Sequence, residues 1–198
     1  MGYGLLLTQS RLALTPAAAR AMALSEATSA VVRPKMLEQR FYRALGPVPG
    51  AALVQYFAGA APTLTEDASA LARYSCREMS DSGAVGAVAP VLMMVTFDVP
   101  PERASTVERW YIEEHIPLLC RAPGWLRARR YEMLSYSGGP RYTSIALHEL
   151  SSVSVLDSIE RQYARSTAWR AALEPEPWFA AAGRFIYERA TTEVLHEQ

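Results

Sequence analysis

The order of strand-like and helix-like segments in the second half of the chain most constrains its fold. Val91 to Asp98 is rich in β-favouring residues, and the Pro100-Pro101 pair that follows is typical of the end of a strand and the start of a helix. From Glu102 to about Cys120, residues recur at spacings of three and four, which predicts a helix with one face turned to the core. Pro117 has no backbone N–H donor, so we expect the helix to bend or end there.

The rest of this half completes an α+β pattern. Two β-compatible runs, Trp125 to Tyr136 and Tyr142 to Leu150, flank the hairpin-type sequence Ser137-Gly138-Gly139-Pro140. A second helix is predicted after the capping residues Ser151 to Ser154, and Arg184 to Ala190 is predicted to be a closing strand. The order β-α-β-β-α-β over roughly 100 residues predicts a ferredoxin-like unit.

The first half follows the same plan in a degenerate form. Strands are predicted at Tyr3 to Ser10, Met36 to Leu45 and Ala51 to Ala58, and helices at Pro16 to Ser29 and Thr65 to Tyr74. The last strand of this half must lie within Ser75 to Val88. The Asp81-Ser82-Gly83 sequence inside that stretch is also typical of a linker, so both interpretations stay open.

Corresponding residues of the two halves lie at a nearly constant offset. Pro49 and Pro140 are 91 positions apart, and Tyr42 and Tyr131 are 89 positions apart. A repeat of about 90 residues matches the length of one such unit, although two unrelated α+β halves would also align loosely. The predicted fold is therefore α+β, with two tandem ferredoxin-like βαββαβ units at residues 1–88 and 89–198, of which the first is degenerate.

Charge and hydropathy exclude several classes of partner. The chain has twenty basic and twenty acidic side chains, and nucleic acids or anionic membranes need a basic surface, so we expect neither as a partner. The longest apolar stretch, Gly83 to Val95, is interrupted by Pro90 and is shorter than the ~18 residues of a membrane span. The opening residues lack a basic start and a long apolar run, so we expect a cytoplasmic protein with reduced cysteines.

Common cofactor and metal patterns do not occur in the sequence. Its three histidines, His115, His148 and His196, have no metal-ligand spacing, so we predict no metal site. Glycine-rich nucleotide-binding patterns and the Gly-x-Ser-x-Gly nucleophile turn do not occur either. We therefore expect no bound cofactor.

One motif carries a resemblance to a known family. Trp110 to Leu119 contains a histidine, a proline two positions later and two leucines, and Pro123-Gly124-Trp125 opens the next strand. This pattern resembles the EthD family, which belongs to the dimeric α+β barrel superfamily. The resemblance is close over about fifteen residues and loose over the rest of the second half. It implies two ferredoxin-like sheets that enclose a cavity, usually through the pairing of two chains.

The resemblance leaves the arrangement and the reaction open. The degenerate first half could supply the second sheet within one chain, or two chains could pair. We expect a homodimer because unpaired sheet edges invite partners. The superfamily includes cofactor-independent monooxygenases, polyketide cyclases, decarboxylases, lactone isomerases and haem-binding enzymes, so the fold implies a small-molecule ligand without choosing the chemistry.

His115 is the main candidate for catalysis. It shares a helical face with Val107, Tyr111 and Leu118, so we expect it to point toward the sheet. An imidazole of ordinary pKa, about 6.5, can accept and return a proton near neutral pH, which suits chemistry on a phenol or enol. The alternative is a core histidine bonded to a backbone carbonyl that Pro117 leaves without a donor.

The strand after the hairpin offers a second candidate, His148. We expect the aliphatic residues Ile145 and Leu147 to face the helices, which places His148 and Tyr142 toward the barrel interior. The alternation is equally compatible with His148 and Tyr142 lying on an exposed outer face. An inward-pointing Arg129 would stabilise negative charge on a substrate, unless it pairs with a neighbouring acid.

These features together predict a cofactor-independent enzyme that acts on a small aromatic or polyketide-like molecule by proton transfer, of isomerase, cyclase, decarboxylase or monooxygenase type. The predicted catalytic residues are His115, Arg129 and His148, and the predicted substrate-binding residues are Trp110, Tyr111, Tyr131, Tyr142 and Trp178. Packing explains the aromatic residues equally well. The alternatives are a non-catalytic ligand-binding or assembly protein of the same fold and a haem-binding barrel protein.

Overall fold

Strands account for most of the first half of the structure. The computed structural model describes residues 3–10, 35–45, 50–62, 64, 71–83 and 89–194. The strands in these ranges are β1 (Tyr3–Ser10), β2 (Met36–Ala44), β3 (Ala51–Ala58), β4 (Ala72–Gly83), β5 (Val91–Phe97), β6 (Trp125–Gly138), β7 (Ser144–Leu150) and β8 (Gly183–Val194). The predicted bounds of β1 and β3 are confirmed, and those of the other predicted strands differ from the observed ones by a few residues.

The described helices are short and lie in the second half. After a 3-10 turn at Pro101–Arg103, one continuous helical segment comprises α1 (Ala104–Trp110), a π-helical turn (Tyr111–His115) and α2 (Ile116–Leu119). A 3-10 turn at Val153–Asp157 precedes α3 (Ile159–Ala164), α4 (Ala168–Leu173) and α5 (Pro177–Ala180). Ser158 caps α3 and Thr167 caps α4, each by accepting a hydrogen bond from a backbone N–H of the first turn. None of the helices in the described ranges is long and apolar enough to cross a membrane.

The chain divides into two compact units. Unit 1 comprises Met1–Met79, Tyr131–Arg141 and Phe185–Gln198, and unit 2 comprises Ser80–Arg130 and Tyr142–Arg184. The strand segments and helices of the two units together make the fold α+β.

The sheet of unit 1 is antiparallel in all its described pairings. β1 pairs with β3 on one side and with β4 on the other, and β3 pairs in turn with β2. The order β4-β1-β3-β2, with the first strand between the third and the fourth, is that of a ferredoxin-like sheet. On the side away from β3, β2 pairs with the end of β8.

Unit 2 packs its helices on one face of the β5–β7 pair. The two strands are antiparallel from Val91 opposite Leu150 to Phe97 opposite Ser144. The core cluster that joins strands and helices comprises Phe97, Val99, Val107, Trp110, Tyr111, Ile116, Ala128, Ala146, Leu173, Trp178 and Phe179. Because large aromatic side chains fill much of this cluster, their ring contacts determine the shape of the space left beside it.

A π-helical turn precedes the proline of the first helical segment. The N–H of Ile116 donates to the carbonyl of Tyr111, five residues back, where an α-helix would use a carbonyl four residues back. Pro117 comes next and cannot donate, so the helix widens immediately before it and then continues to Leu119. The expected irregularity is therefore present, but it precedes the proline.

One expectation about local structure is wrong, and one alternative is decided. Ala72, Arg73 and Tyr74 were expected to end a helix, but they begin β4 and pair with β1. The strand expected within Ser75 to Val88 is present, with Asp81-Ser82-Gly83 at its end, so the linker interpretation of residues 75–83 is wrong. The remainder of that predicted helix at residues 65–70, and the predicted helix Pro16 to Ser29, lie outside the described residues.

The expected orientation of β7 is also wrong. Ala146 belongs to the cluster formed with the helices, so the face that also carries His148 is the helix-facing one. Ile145 and Leu147, which were expected there, lie on the opposite face and are equally buried. Every residue of β7 is buried, so hydrophobicity could not distinguish its two sides.

Candidate functional site

Unit 2 contains a cavity of about 180 Å³ between its helices and the β5–β7 pair. Its walls come from β5, the first helical segment, the starts of β6 and β8, the end of β7, and the helical region after β7. The lining residues are Met93, Val95, Phe97, Trp110, Tyr111, His115, Leu119, Trp125, His148, Arg161, Arg165, Arg170, Phe179 and Arg184. The cavity therefore combines aromatic walls with two histidines and four arginines.

The π-helical turn positions His115. Its imidazole stacks on Trp110, with ring centroids 4.3 Å apart, and meets the edge of Tyr111 at 5.6 Å. Burial, together with the charge of Arg170, lowers the pKa of His115 to about 3, although a hydrogen bond with the backbone of Ala164 acts in the opposite direction. Among the described residues, no hydrogen-bond partner faces its Nδ1. His115 is therefore a neutral imidazole with one nitrogen available to a ligand.

His148 occupies the opposite wall, on β7. Its side chain is fully buried and meets the indole of Trp125 edge to face, with centroids 5.2 Å apart. Burial, followed by the charges of His115, Arg130 and Arg161, lowers the pKa of His148 to about 3. Its Nδ1 also has no hydrogen-bond partner in the described part of the chain. Two neutral imidazoles thus face one cavity.

Four arginines give the cavity a positive wall. We call Arg161, Arg165, Arg170 and Arg184 the arginine cluster. Burial and the charge of Arg165 lower the pKa of both Arg161 and Arg170, although Glu174 acts in the opposite direction on Arg170. No Asp or Glu lines the cavity within the described ranges. Arginine stays protonated at neutral pH, so this wall favours an anionic group.

A buried polar network supports the cavity wall at Tyr111. The guanidinium of Arg130 lies 4.1 Å from the centroid of the Tyr111 ring, forms an ion pair with Glu108 and donates to Oγ of Ser144 at 2.8 Å. Burial raises the pKa of Tyr111 to about 12, so its phenol is neutral at physiological pH. These contacts fix the ring against the cavity.

The structure brings half of the sequence-predicted site residues together. His115, His148, Trp110 and Tyr111 all line the cavity. Glu114, the neighbour of His115 in sequence, accepts a hydrogen bond from Thr167 at 2.7 Å.

The other predicted site residues lie elsewhere. Arg129 forms a buried ion pair with Glu149, which is the alternative considered for it. Trp178 packs in the core of unit 2, with its ring centroid 5.6 Å from that of Phe97. Tyr142 is buried just before β7, and Tyr131 belongs to unit 1.

Sequence reasoning missed the arginine cluster and Trp125. Arg161 and Arg165 are four positions apart, but Arg170 lies five positions further and would point about 140° away from Arg165 in one regular helix, so helical spacing does not bring the three together. They meet because α3 ends at Ala164 and α4 begins at Ala168. Trp125 directly follows the Pro123-Gly124 pair, but nothing in its sequence context distinguishes it from a core aromatic.

The described residues do not provide a three-ligand metal site. No three His, Cys, Asp or Glu side chains converge anywhere in the described ranges. The cavity of unit 2, at about 180 Å³, is a little larger than a cavity of about 150 Å³ that holds one benzene molecule.

Comparisons with known proteins establish the fold. An anthrone oxidase-like protein shares it with a TM-score of 0.62 at 11% identity, over 99% of this chain and 94% of that one. A haem-degrading enzyme from Listeria monocytogenes gives 0.54 at 9% identity, over 94% of this chain and 99% of that one. A ferredoxin-fold protein related to antibiotic biosynthesis monooxygenases, also from Listeria monocytogenes, gives 0.55 at 10% identity, over 96% and 95%.

These likenesses concern the fold alone, because the identities are low. The chain is thus similar to α+β proteins of the ferredoxin-like type, among them monooxygenase-related, oxidase-like and haem-degrading proteins. No family model matches the sequence, and no curated protein matches it.

Proposed function

We propose that the protein is a cofactor-independent enzyme that acts on a small aromatic or polyketide-like molecule by histidine-mediated proton transfer. The observation that carries the proposal is the position of His115 and His148 on one cavity, each with an Nδ1 that has no partner among the described residues. The reaction is of isomerase, cyclase, decarboxylase or monooxygenase type, because each of these begins with or passes through an enol or phenolate anion.

The electrostatics of the cavity suit the formation of such an anion. A neutral His115 accepts the proton from a phenol, an enol or a C–H bond next to a carbonyl. The positive charge of Arg170 weakens this base, but the same charge stabilises the enolate or phenolate that forms. After the transfer, the imidazolium of His115 and the enolate attract one another. This attraction offsets the repulsion between the imidazolium and the neighbouring arginines. His148, in the tautomer that carries its proton on Nδ1, then donates a hydrogen bond to the oxygen of that anion.

At the level of the fold, we propose two tandem ferredoxin-like repeats of EthD-like barrel type. The repeats follow the order of the chain, at residues 1–88 and 89–198, and so differ from the compact units 1 and 2. Support comes from the strand order β4-β1-β3-β2, from the β5–β7 pairing and from the motif around His115 and Pro117. A homodimer stays a prediction of the sequence. Light scattering of the purified protein tests it, since the chain mass is 21.8 kDa and a monomer mass would contradict the homodimer.

The exchange of carbon-bound protons tests the proton transfer without knowledge of the natural substrate. Acetophenone has one aromatic ring and methyl protons that exchange slowly in neutral D2O, and ¹H NMR follows their loss. We expect the protein to accelerate this exchange, and His115→Gln to reduce the acceleration by at least about a hundredfold, the low end for general acid–base catalysis. His148→Gln should reduce it less. Tyr163→Phe, at an exposed position on α3, is the surface control.

The pH profile tests whether His115 acts in the protonation state that its lowered pKa implies. Because the pKa of His115 is about 3, its base form persists below neutrality, so the exchange rate per folded protein should stay level from pH 8 to pH 5. A decline centred near the ordinary histidine value, or wild-type exchange in His115→Gln, would refute the assignment. Acetophenone binding without accelerated exchange would favour a ligand-binding protein instead.

A further inference from the structure

The charge on the cavity wall is strongly one-sided. The whole chain is balanced, with twenty basic and twenty acidic residues, yet the described lining contains four arginines and no acid. Four like charges around a cavity of about 180 Å³ repel one another. Burial adds to the cost for Arg161 and Arg170, whereas Arg165 and Arg184 are exposed. An arrangement of this kind is stabilised when an anion occupies the space between the guanidinium groups.

Arg170 is held in place at the inner part of this wall. Its side chain is 9% exposed, its Nη1 donates to the carbonyl of Arg165 at 3.3 Å, and its Nη2 lies 2.9 Å from Oε1 of Glu174. The guanidinium also lies 5.6 Å from the centroid of the Phe179 ring. Since Glu174 is half exposed, it neutralises Arg170 from the solvent side and leaves the cavity side positive.

Arg161 adds a second oriented guanidinium. Its Nη1 donates to the carbonyl of Leu156, which ties the side chain down by one of its five N–H donors. Within the described ranges, Arg161, Arg165 and Arg184 form no salt bridge with a carboxylate. These guanidinium groups therefore retain donors for an oxyanion, which they bind in a planar, two-point geometry.

The size and shape of the rest of the cavity limit the part of the ligand that carries the anionic group. The walls include Phe97, Trp110 and Trp125, whose ring faces and edges suit a flat, apolar group. For comparison, a cavity of about 150 Å³ holds one benzene molecule. The volume of about 180 Å³ in this protein leaves room for the ring and one small substituent. One ring with a small charged group therefore fits this space.

We propose that the ligand is a single planar ring that carries a carboxylate, with the ring against the aromatic wall and the carboxylate on Arg161, Arg165 and Arg170. The proposal deepens the proposed function, since it names the class of substrate for the same cavity. Its test does not depend on catalysis, because a binding measurement alone shows whether the cavity recognises the carboxylate.

Benzoate and benzamide form a matched pair of probes. They share ring and shape, but only benzoate is an anion at neutral pH. Quenching of tryptophan fluorescence or calorimetry should show benzoate bound at least about tenfold more tightly than benzamide, and the benzoate affinity should fall with added salt. Equal affinities, or no benzoate binding at 10 millimolar (roughly the weak limit of useful recognition), would overturn the proposal.

Arginine variants locate the carboxylate. Arg161→Gln and Arg165→Gln should each weaken benzoate binding by about tenfold and leave benzamide binding nearly unchanged, because each removes one charge-assisted contact. Arg170→Gln should do the same if it folds, which circular dichroism reports. Arg121→Gln is the control, since Arg121 is exposed and lies outside the lining. Equal benzoate affinity in the wild type and in both Arg161→Gln and Arg165→Gln would contradict the assignment.

The two proposals fail separately. Benzoate binding that is selective and arginine-dependent, without acceleration of acetophenone exchange, would refute proton transfer and retain the carboxylate site. Acceleration of exchange by a protein that binds benzamide as well as benzoate would retain proton transfer and refute the carboxylate site.

Discussion

The imidazole of His115 lies parallel to the indole of Trp110, with ring centroids 4.3 Å apart and planes inclined by 22°. The two residues are five positions apart, and in a regular α-helix such residues point about 140° apart around the axis. The π-helical turn Tyr111–His115 widens the helix and brings the two rings onto one side. The contact thus depends on the backbone irregularity that precedes Pro117.

Replacement of Trp110 should strongly destabilise unit 2. The indole is 2% exposed and contacts His115, Tyr111 and Phe179, so Trp110→Ala leaves a large cavity and should lower the free energy of unfolding by about 3–5 kcal/mol. Urea denaturation measures the change. Trp169→Ala is the matched control and should cost much less, because Trp169 is only partly buried. Equal losses in the two variants would show that the stack at Trp110 contributes little.

The two cavity histidines should make the protein sensitive to mild acid. Their pKa is about 3 in the folded protein, against an ordinary value of 6.5 in the unfolded chain, so the unfolded chain binds more protons between these values. Stability is therefore fully present above pH 6.5 and falls as the pH drops toward 3, by up to about 1.4 kcal/mol per pH unit for each histidine.

Urea denaturation at pH 7, 6 and 5 checks this slope. The double variant His115→Gln/His148→Gln is the control, because it removes both titrating groups and should show a much flatter dependence over the same interval. Equal stability of the wild type at pH 7 and pH 5 would mean that the imidazoles keep their ordinary pKa in the fold.

The ion pair between Arg129 and Glu149 should be structural. Both side chains are buried, so Glu149→Gln removes the negative charge that Arg129 pairs with and should lower the free energy of unfolding by about 3–5 kcal/mol. Joint replacement by Arg129→Met and Glu149→Leu should recover much of that loss. Glu113→Gln, which breaks the exposed pair with Arg109, is the control and should have little effect. A cost for Glu149→Gln no larger than for Glu113→Gln would contradict this role.

Gly124 should not tolerate a side chain. Its φ is +93°, and a Cβ there would lie 2.3 Å from Oγ of Ser151 and 2.8 Å from Cγ2 of Val155. Gly124→Ala should therefore destabilise by about 1–3 kcal/mol, which a thermal melt detects. Gly59→Ala is a matched control, because Gly59 has a φ of +82° but no atom within 4 Å of the added Cβ. The control should lose less, since it has the backbone strain without the clash, and equal losses would assign the whole effect to backbone conformation.

Much of the secondary structure follows from local sequence. β1 and β3 have the predicted bounds because their apolar runs end at turn-forming residues, and Pro100-Pro101 separates β5 from the first helix as expected. Tyr74 differs, because its pairing with Leu7 of β1 places it in a strand although its own segment has a helical pattern.

The candidate site was predictable in part. The motif around His115 indicated the histidine, and helical spacing placed Tyr111 near it. Arg129 and Arg130 are neighbours on β6 and both are buried, so sequence alone could not tell which acid each would find or which of them would contact the cavity wall. Arg129 pairs with Glu149, whereas Arg130 pairs with Glu108 and contacts Tyr111.

The sequence by itself determined the order of strands and helices, the balance of charge and the presence of a histidine beside a helix-disrupting proline, because propensity and backbone donor count are local properties. Tertiary structure decided which face of β7 meets the helices, which acid pairs with each buried arginine of β6 and how Arg161, Arg165 and Arg170 reach the cavity of His115. Those outcomes depend on packing between segments far apart in the chain, and no local pattern encodes which buried face meets which neighbour.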